Sequence, residues 1–260
     1  MINLELIRNY FPADVRENAS FQKYMLKEYL QLSILDFLST TPYTSKIIFI
    51  GGTYLRLVKG IDRFSEYIDV DRKSSTREEF LEMTDSVLKY LNRSGITVET
   101  RDRKNNKLPA FRRSFYFPEL LFNLGLSGHR EERFLIKIEC EDQHLAYKRS
   151  LKNIKGCGYF FPFPVPADEV ICSMKLSAML SRQKGRDFYD AIFLLSQTKP
   201  DYEILTQKNG IHNLEELKGA TEKILKKVDL EVKKKDFDHL LFNKRNSERI
   251  LHVNEFIQDL

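Results

Sequence analysis

The chain has 260 residues, 42% hydrophobic and 30% charged, with a formal net charge of +5. That mixture supports a packed core in one large domain or two modest ones and excludes wholesale disorder. The mild positive charge permits a polyanionic partner without demanding one.

No stretch approaches the roughly 18 apolar residues that span a bilayer. The first residues, Met1 to Glu5, lack the basic region and apolar run of a secretory signal. Cys140, Cys157 and Cys172 are too few and too scattered for a disulfide framework or a metal-ligand pair, which points to the reducing cytoplasm.

Taken along the chain, residues 19–39 carry Leu26, Leu30, Ile34, Phe37 and Leu38 at helical spacing, and Thr40 to Tyr43 break the pattern. Residues 47–50 are a short β-branched run that ends at Gly51-Gly52, so a buried strand is expected there, with a helix over 53–58. A second strand is expected at 67–71, and an amphipathic helix at 77–91 with Phe80, Met83, Val87 and Leu91 on its stripe. Further strands are expected at 96–100, 113–117, 120–124 and 134–140, with polar turns at 101–107 and 127–132. Pro162, Pro164 and Pro166 force an extended chain over 161–166, read as the crossing between an α/β domain of residues 1–166 and a helical domain of residues 167–260. Helices are expected at 168–182, 187–196, 214–228 and 247–258, with Ser247 as a cap for the last. The lysine-rich stretch 218–249 suits either a solvated helical surface or a phosphate-contacting patch.

Four groups of residues could carry chemistry. Gly51-Gly52-Thr53, between a strand and a helix, leaves backbone N–H groups open to a phosphate; a tight turn needs the same glycines. On the strand Tyr67-Ile68-Asp69-Val70-Asp71, Tyr67, Asp69 and Asp71 share one face, and two carboxylates so placed could converge on Mg²⁺ or simply be solvated. On the strand ending at Cys140, Glu139 falls on the polar face and could add a third carboxylate. Lys175 is the one charged residue between Ile171 and Leu180, so it either snorkels to water or holds a nucleotide phosphate as a point charge. After it, Gly185 could end one helix and Asp187 could cap the next or take part in the site.

The order of these parts is more telling than any one of them. A strand, Gly-Gly-Thr and a helix come first, then Arg63-Phe64-Ser65-Glu66 before the acidic strand. Lys-Leu-x-Ala at Lys175 and Arg-Asp-x-Tyr-Asp at Arg186 follow. This arrangement resembles the AbiEii/AbiGii toxin family of the DNA polymerase β-type nucleotidyltransferase superfamily, from about residue 26 to 195. The resemblance implies an α+β fold, a nucleotidyltransferase-like mixed sheet flanked by helices and followed by a C-terminal helical domain. It implies that Gly51, Gly52 and Thr53 cradle a nucleoside triphosphate, with Arg63, Ser65 and Lys175 also on the nucleotide. It implies Mg²⁺ on the acidic strand, where Asp69 and Asp71 are the candidates with Glu139 as the third carboxylate read from its own strand, and Asp187 in the final motif. The implied activity is transfer of a nucleotide to an RNA hydroxyl, tRNA in particular, or to a protein hydroxyl, with a cognate antitoxin as partner and no membrane.

One position departs from the family pattern. The first of its two acids is Tyr67 here, and Asp69 is the second. A phenol with a pKa near 10 is no ordinary Mg²⁺ ligand. Either Asp69 and Asp71 form the pair in a shifted register, or the chain is a catalytically impaired member that binds nucleotide or antitoxin.

Overall fold

The computed structural model describes residues 2–73, 76–101 and 110–260. The chain divides into two compact units. The first comprises Met1–Gly60, Phe64–His144 and Arg149–Val165; the second comprises Ile61–Arg63, Leu145–Lys148 and Pro166–Leu260. The main division falls one residue before the expected boundary. The two short stretches that join the helical unit carry no compositional mark.

The first unit opens with α1 (Leu4–Arg8) and α2 (Ala13–Arg16), then a 3₁₀ turn at Ala19–Phe21 that leads into α3 (Gln22–Ser39). It continues with β1 (Ile47–Ile50), α4 (Gly51–Leu57), β2 (Tyr67–Arg72) and α5 (Arg77–Arg93). Thr76 caps α5: its hydroxyl accepts from the Glu79 N–H, and the Glu79 carboxylate accepts from the Thr76 N–H. Next come β3 (Glu99–Thr100), β4 (Phe111–Tyr116), α6 (Leu120–Asn123), β5 (Leu135–Glu141), β6 (Arg149–Gly156) and β7 (Tyr159–Pro166).

Five strands form one mixed sheet in the order β1-β2-β5-β4-β3, in which β2 and β5 run parallel and the other pairs antiparallel. Register sorts the side chains into two faces. Phe49 stands beside Val70, Val70 beside Cys140, Ile68 beside Ile138, and Ile136 beside Phe115. All of these are buried and form the core face. The opposite face carries Tyr67, Asp69 and Asp71 on β2, with Lys137, Glu139 and Glu141 beside them on β5.

Several expectations are corrected. Residues 120–124 are not a strand: Leu120–Asn123 is one turn of helix, entered through Glu119 in the left-handed region at φ 52°. A run of three apolar residues, Leu120 to Phe122, is too short for its period to separate helix from strand. The strand expected at 96–100 is reduced to Glu99–Thr100, and the turn expected at 101–107 lies, beyond Arg101, outside the described residues. The proline segment is extended, but as the second strand of a hairpin with β6, which the sequence did not reveal. Cys157 and Gly158 make the two-residue turn with φ 46° and 85°, the backbone such hairpins require. Proline is tolerated in a strand whose N–H side has no partner. The three cysteines are buried and unpaired with one another.

The second unit contains α7 (Asp168–Arg182), α8 (Gly185–Leu195), α9 (Tyr202–Asn209), α10 (Leu214–Leu225), α11 (Leu230–Lys235) and α12 (Val253–Gln258). Leu145, Val170 and Ile204 form a buried cluster with Tyr147 and Met174 packed on it. The helix expected at 247–258 is divided, because Lys244–His252 is 3₁₀ and is capped by Asn243, so Ser247 lies inside it. In the lysine-rich stretch, Lys218, Lys233 and Lys234 pair with Glu215, Asp236 and Glu231 three residues away, as on a solvated helical surface.

Gly185 begins α8 rather than ending α7, which closes on Gln183 at φ 55°. Its hydrogen-only side is required by close packing: a Cβ there would stand 1.9 Å from the Lys233 carbonyl oxygen and 2.8 Å from Phe237. Gly185→Ala should therefore destabilise the protein by about 1–3 kcal/mol through forced backbone displacement. Gly219, inside α10, has nothing within 4 Å of its Cβ position. Gly219→Ala should stabilise by roughly 0.4–1 kcal/mol, since alanine is the better helix former. Urea unfolding of the two variants against wild type checks both signs.

Candidate active site

In the first unit the site is built where β1 gives way to α4. Gly51 has φ 82°, which side-chain-bearing residues rarely adopt. A Cβ on it would also fall 2.1 Å from Asp69 Oδ2 and 2.6 Å from Asp69 Cβ. The turn therefore lies directly against the Asp69 carboxylate. Thr53 is wholly buried, and its hydroxyl donates to the Tyr67 carbonyl, so its side chain ties α4 to β2 rather than facing a phosphate. The Ser65 carbonyl accepts from Gln31 Nε2 at 3.1 Å, which fixes the approach to β2.

Asp69 and Glu139 are direct neighbours across the parallel β2–β5 pair, so their side chains share a face. Glu139 Oε1 is met at 3.1 Å by Arg112 Nε from β4, the next strand in the same row. Asp71 shares the face but is fully buried, accepting from the Gln143 N–H at 2.9 Å and pairing with Lys73 Nζ at 3.2 Å. Among the described residues, no three His, Cys, Asp or Glu side chains are grouped so as to hold a metal ion. The expected trio of Asp69, Asp71 and Glu139 thus does not fit a three-carboxylate Mg²⁺ centre. Each strand supplies an acid, but neighbouring cations and a backbone amide already engage Glu139 and Asp71.

Tyr67, at the head of β2, is flanked by Lys137, whose Nζ lies 4.8 Å from the ring centroid. Lys137 is the register partner of Tyr67, one row from the Asp69–Glu139 pair.

The second unit holds a different constellation. Arg63 is 1% exposed and forks onto Asp190, with Nε on Oδ1 and Nη2 on Oδ2, both at 2.8 Å. Lys175 Nζ donates to Asp190 Oδ2 at 2.8 Å. Lys175 is buried, so it neither snorkels to water nor stands alone; its ammonium is shared with Asp190. Arg63, expected on the nucleotide, is occupied in the same way. Burial alone would push the Asp190 carboxyl up, but Arg63 and Lys175 outweigh it and hold it below the usual carboxylate range. Beside this group, Asp62 accepts from the Tyr189 hydroxyl and from Asn246 Nδ2, each at 2.6 Å.

Asp187 is the third residue of α8. Its carboxylate accepts from the Lys184 N–H at 3.2 Å and from Arg182 Nη2 at 2.6 Å, which is a helix-start role. The residue missed in the sequence is Asp190. An acid inside the otherwise apolar run Phe188-Tyr189-Asp190-Ala191-Ile192-Phe193 needs a buried counter-ion, and Lys175 was the matching anomaly one helix earlier.

With this geometry in place, similarity to known proteins becomes informative. The family model for the AbiEii nucleotidyltransferase toxin of type IV toxin–antitoxin systems matches residues 33–249. The chain belongs to the AbiEii family. Comparison with curated proteins gives no match. Among solved structures it is similar to MenT4, a nucleotidyltransferase toxin from Mycobacterium tuberculosis H37Rv. The identity is 18% and the TM-score 0.67, over 100% of this chain and 91% of that one. It is also similar to JHP933 from Helicobacter pylori, with 20% identity and a TM-score of 0.55 over 90% of each chain. At these identities the structures establish the shared fold: a mixed sheet with helices, as an AbiEii member requires. No helix among the described residues is long and apolar enough to cross a membrane.

Asp190→Asn would leave Arg63 and Lys175 buried without their counter-charge and should cost about 3–5 kcal/mol. Because the folded-state pKa of Asp190 is lowered, its contribution is fully present above the unfolded value of about 3.9 and is lost as pH falls through the folded value. Denaturant unfolding at pH 7 should separate wild type from variant by this margin, and the gap should shrink as pH drops below about 4.

Proposed function

We propose that this AbiEii member transfers a nucleotide from a nucleoside triphosphate to a hydroxyl of RNA, with tRNA as the leading acceptor and a protein hydroxyl as the alternative. The observation that carries the reading is the Gly51 turn seated on Asp69. It opens α4, whose first N–H groups have no partner within the helix, directly beside the Asp69 carboxylate. In this reading the triphosphate rests on the backbone of Gly51, Gly52 and Thr53. The acceptor oxygen attacks the α-phosphorus, the bond from that phosphorus to the bridging oxygen breaks, and pyrophosphate leaves. Asp69 takes the proton from the attacking hydroxyl. Arg112 pairs with the Glu139 carboxylate in the row beside Asp69. Positioning and fixed charge supply most of the acceleration.

In the second unit, Lys175, Arg63, Asp187 and Asp190 hold the helices α7 and α8 in place through buried ion pairs and a helix-start bond. A cognate antitoxin is the expected protein partner of a type IV toxin.

Tyr67 favours a second reading, a member that binds nucleotide with little or no turnover. It leaves the first acidic position without a negative charge, and its ring carries Lys137 instead.

The experiment is incorporation of labelled nucleoside triphosphates into total RNA and total protein, with Mg²⁺ and with EDTA. Wild type should label the RNA fraction, and Asp69→Asn should reduce labelling by about 10²–10⁴-fold, the range for loss of a proton acceptor. Binding of nucleotide with no labelling of either fraction would select the second reading. Labelling unaffected by Asp69→Asn would overturn the site.

A further inference from the structure

Lys137 stands out on the site face for what surrounds it. It is half-buried on β5, directly beside Tyr67 and one row from Asp69 and Glu139. Among the described residues its ammonium has no carboxylate partner, and its contact is the face of the Tyr67 ring at 4.8 Å. A second ammonium is close at hand. Lys27, on α3, lies 5.6 Å from the Phe134 ring centroid, with Glu66 as its ion-pair partner at a long 3.8 Å. Burial pushes the Lys27 pKa down, Glu66 opposes this, and repulsion from Lys137 pushes it down further. Glu66 is taken up by Lys27, so the ammonium of Lys137 adds a positive charge without an ion-pair partner among the described residues at the head of β2 and β5. A carboxylate at position 67 would stand beside Lys137 in the strand register, within reach of an ion pair. A phenyl ring leaves that ammonium available for an anion.

We infer that Lys137, aided by Lys27, is an anchoring cation for the triphosphate, so that this chain holds polyphosphate in part without a divalent metal. The inference rests on the nucleotide-binding reading above and deepens it. The substitution at position 67 then changes how the site meets phosphate charge: a side-chain ammonium does part of what a metal on two carboxylates would do.

The test is calorimetric titration of the full chain with inorganic tripolyphosphate and with non-hydrolysable α,β-methylene analogues of the four nucleoside triphosphates. Each titration is run once in EDTA and once in Mg²⁺. Circular dichroism and thermal unfolding verify that each variant is folded. Wild type should bind tripolyphosphate and at least one analogue in EDTA. Lys137→Gln should weaken that metal-free binding at least tenfold, and Lys137→Arg should restore most of it. Tyr67→Asp, which supplies Lys137 with a counter-ion, should also weaken metal-free binding and make binding depend on Mg²⁺. Equal affinity of wild type and Lys137→Gln in EDTA would overturn the inference, as would wild-type binding that appears only with Mg²⁺; either result leaves the nucleotide site itself standing. No binding by wild type in either condition would overturn both the inference and the nucleotide-binding reading.

Discussion

The contact between the Gly51 turn and the Asp69 carboxylate constrains everything around it. With φ at 82° and Asp69 Oδ2 lying 2.1 Å from where a Cβ would stand, glycine alone fits. That contact, with the Thr53 hydroxyl on the Tyr67 carbonyl, locks the end of β1, the start of α4 and the head of β2 into one piece. Strand pairing then extends the order sideways. The β2–β5 register sets Glu139 beside Asp69, and the β4–β5 register sets Arg112 beside Glu139. A row of carboxylate, carboxylate and guanidinium crosses three strands because the backbone ladder leaves no other alignment.

The helical unit depends on a different kind of constraint. Arg63 and Asp190 are far apart in sequence yet meet in a two-pronged buried pair, with Lys175 on the same carboxylate. A cluster of this kind contributes little net stability over an apolar packing of equal volume, but it is unforgiving of a missing member. Its worth is in fixing which residues meet: a planar guanidinium accepts a carboxylate in few geometries. The three-residue stretch Ile61–Arg63 belongs to the helical unit, and this pair explains how so short a stretch is held there.

Much of the fold was legible in the sequence where a strong period or a turn residue marked it. The β-branched run before Gly51-Gly52 became β1 and α4, the stripe of Phe80, Met83, Val87 and Leu91 became α5, and the alternation around Ile136 and Ile138 became β5. Single-turn elements such as α6 and a hairpin turned by Cys157-Gly158 were not legible, because short apolar runs and unusual turn pairs carry no clear period. In the site, the sequence placed Asp69 and Glu139 on one face, since alternation along a strand is enough for that. It could not show that Asp71 would be consumed by Gln143 and Lys73, or that Arg63 and Lys175 would converge on Asp190. Those partners are set by tertiary packing, and only the presence of charges within apolar runs hinted at them.

The central claim is that a triphosphate lies on the Gly51–Thr53 turn above Asp69. Hydrogen–deuterium exchange with and without a non-hydrolysable nucleoside triphosphate tests it most directly. The account predicts slower exchange of the amides of residues 51–53 when nucleotide is present, with lesser slowing along β2 and β5. Unchanged exchange at residues 51–53, with protection arising on another part of the chain, would contradict it.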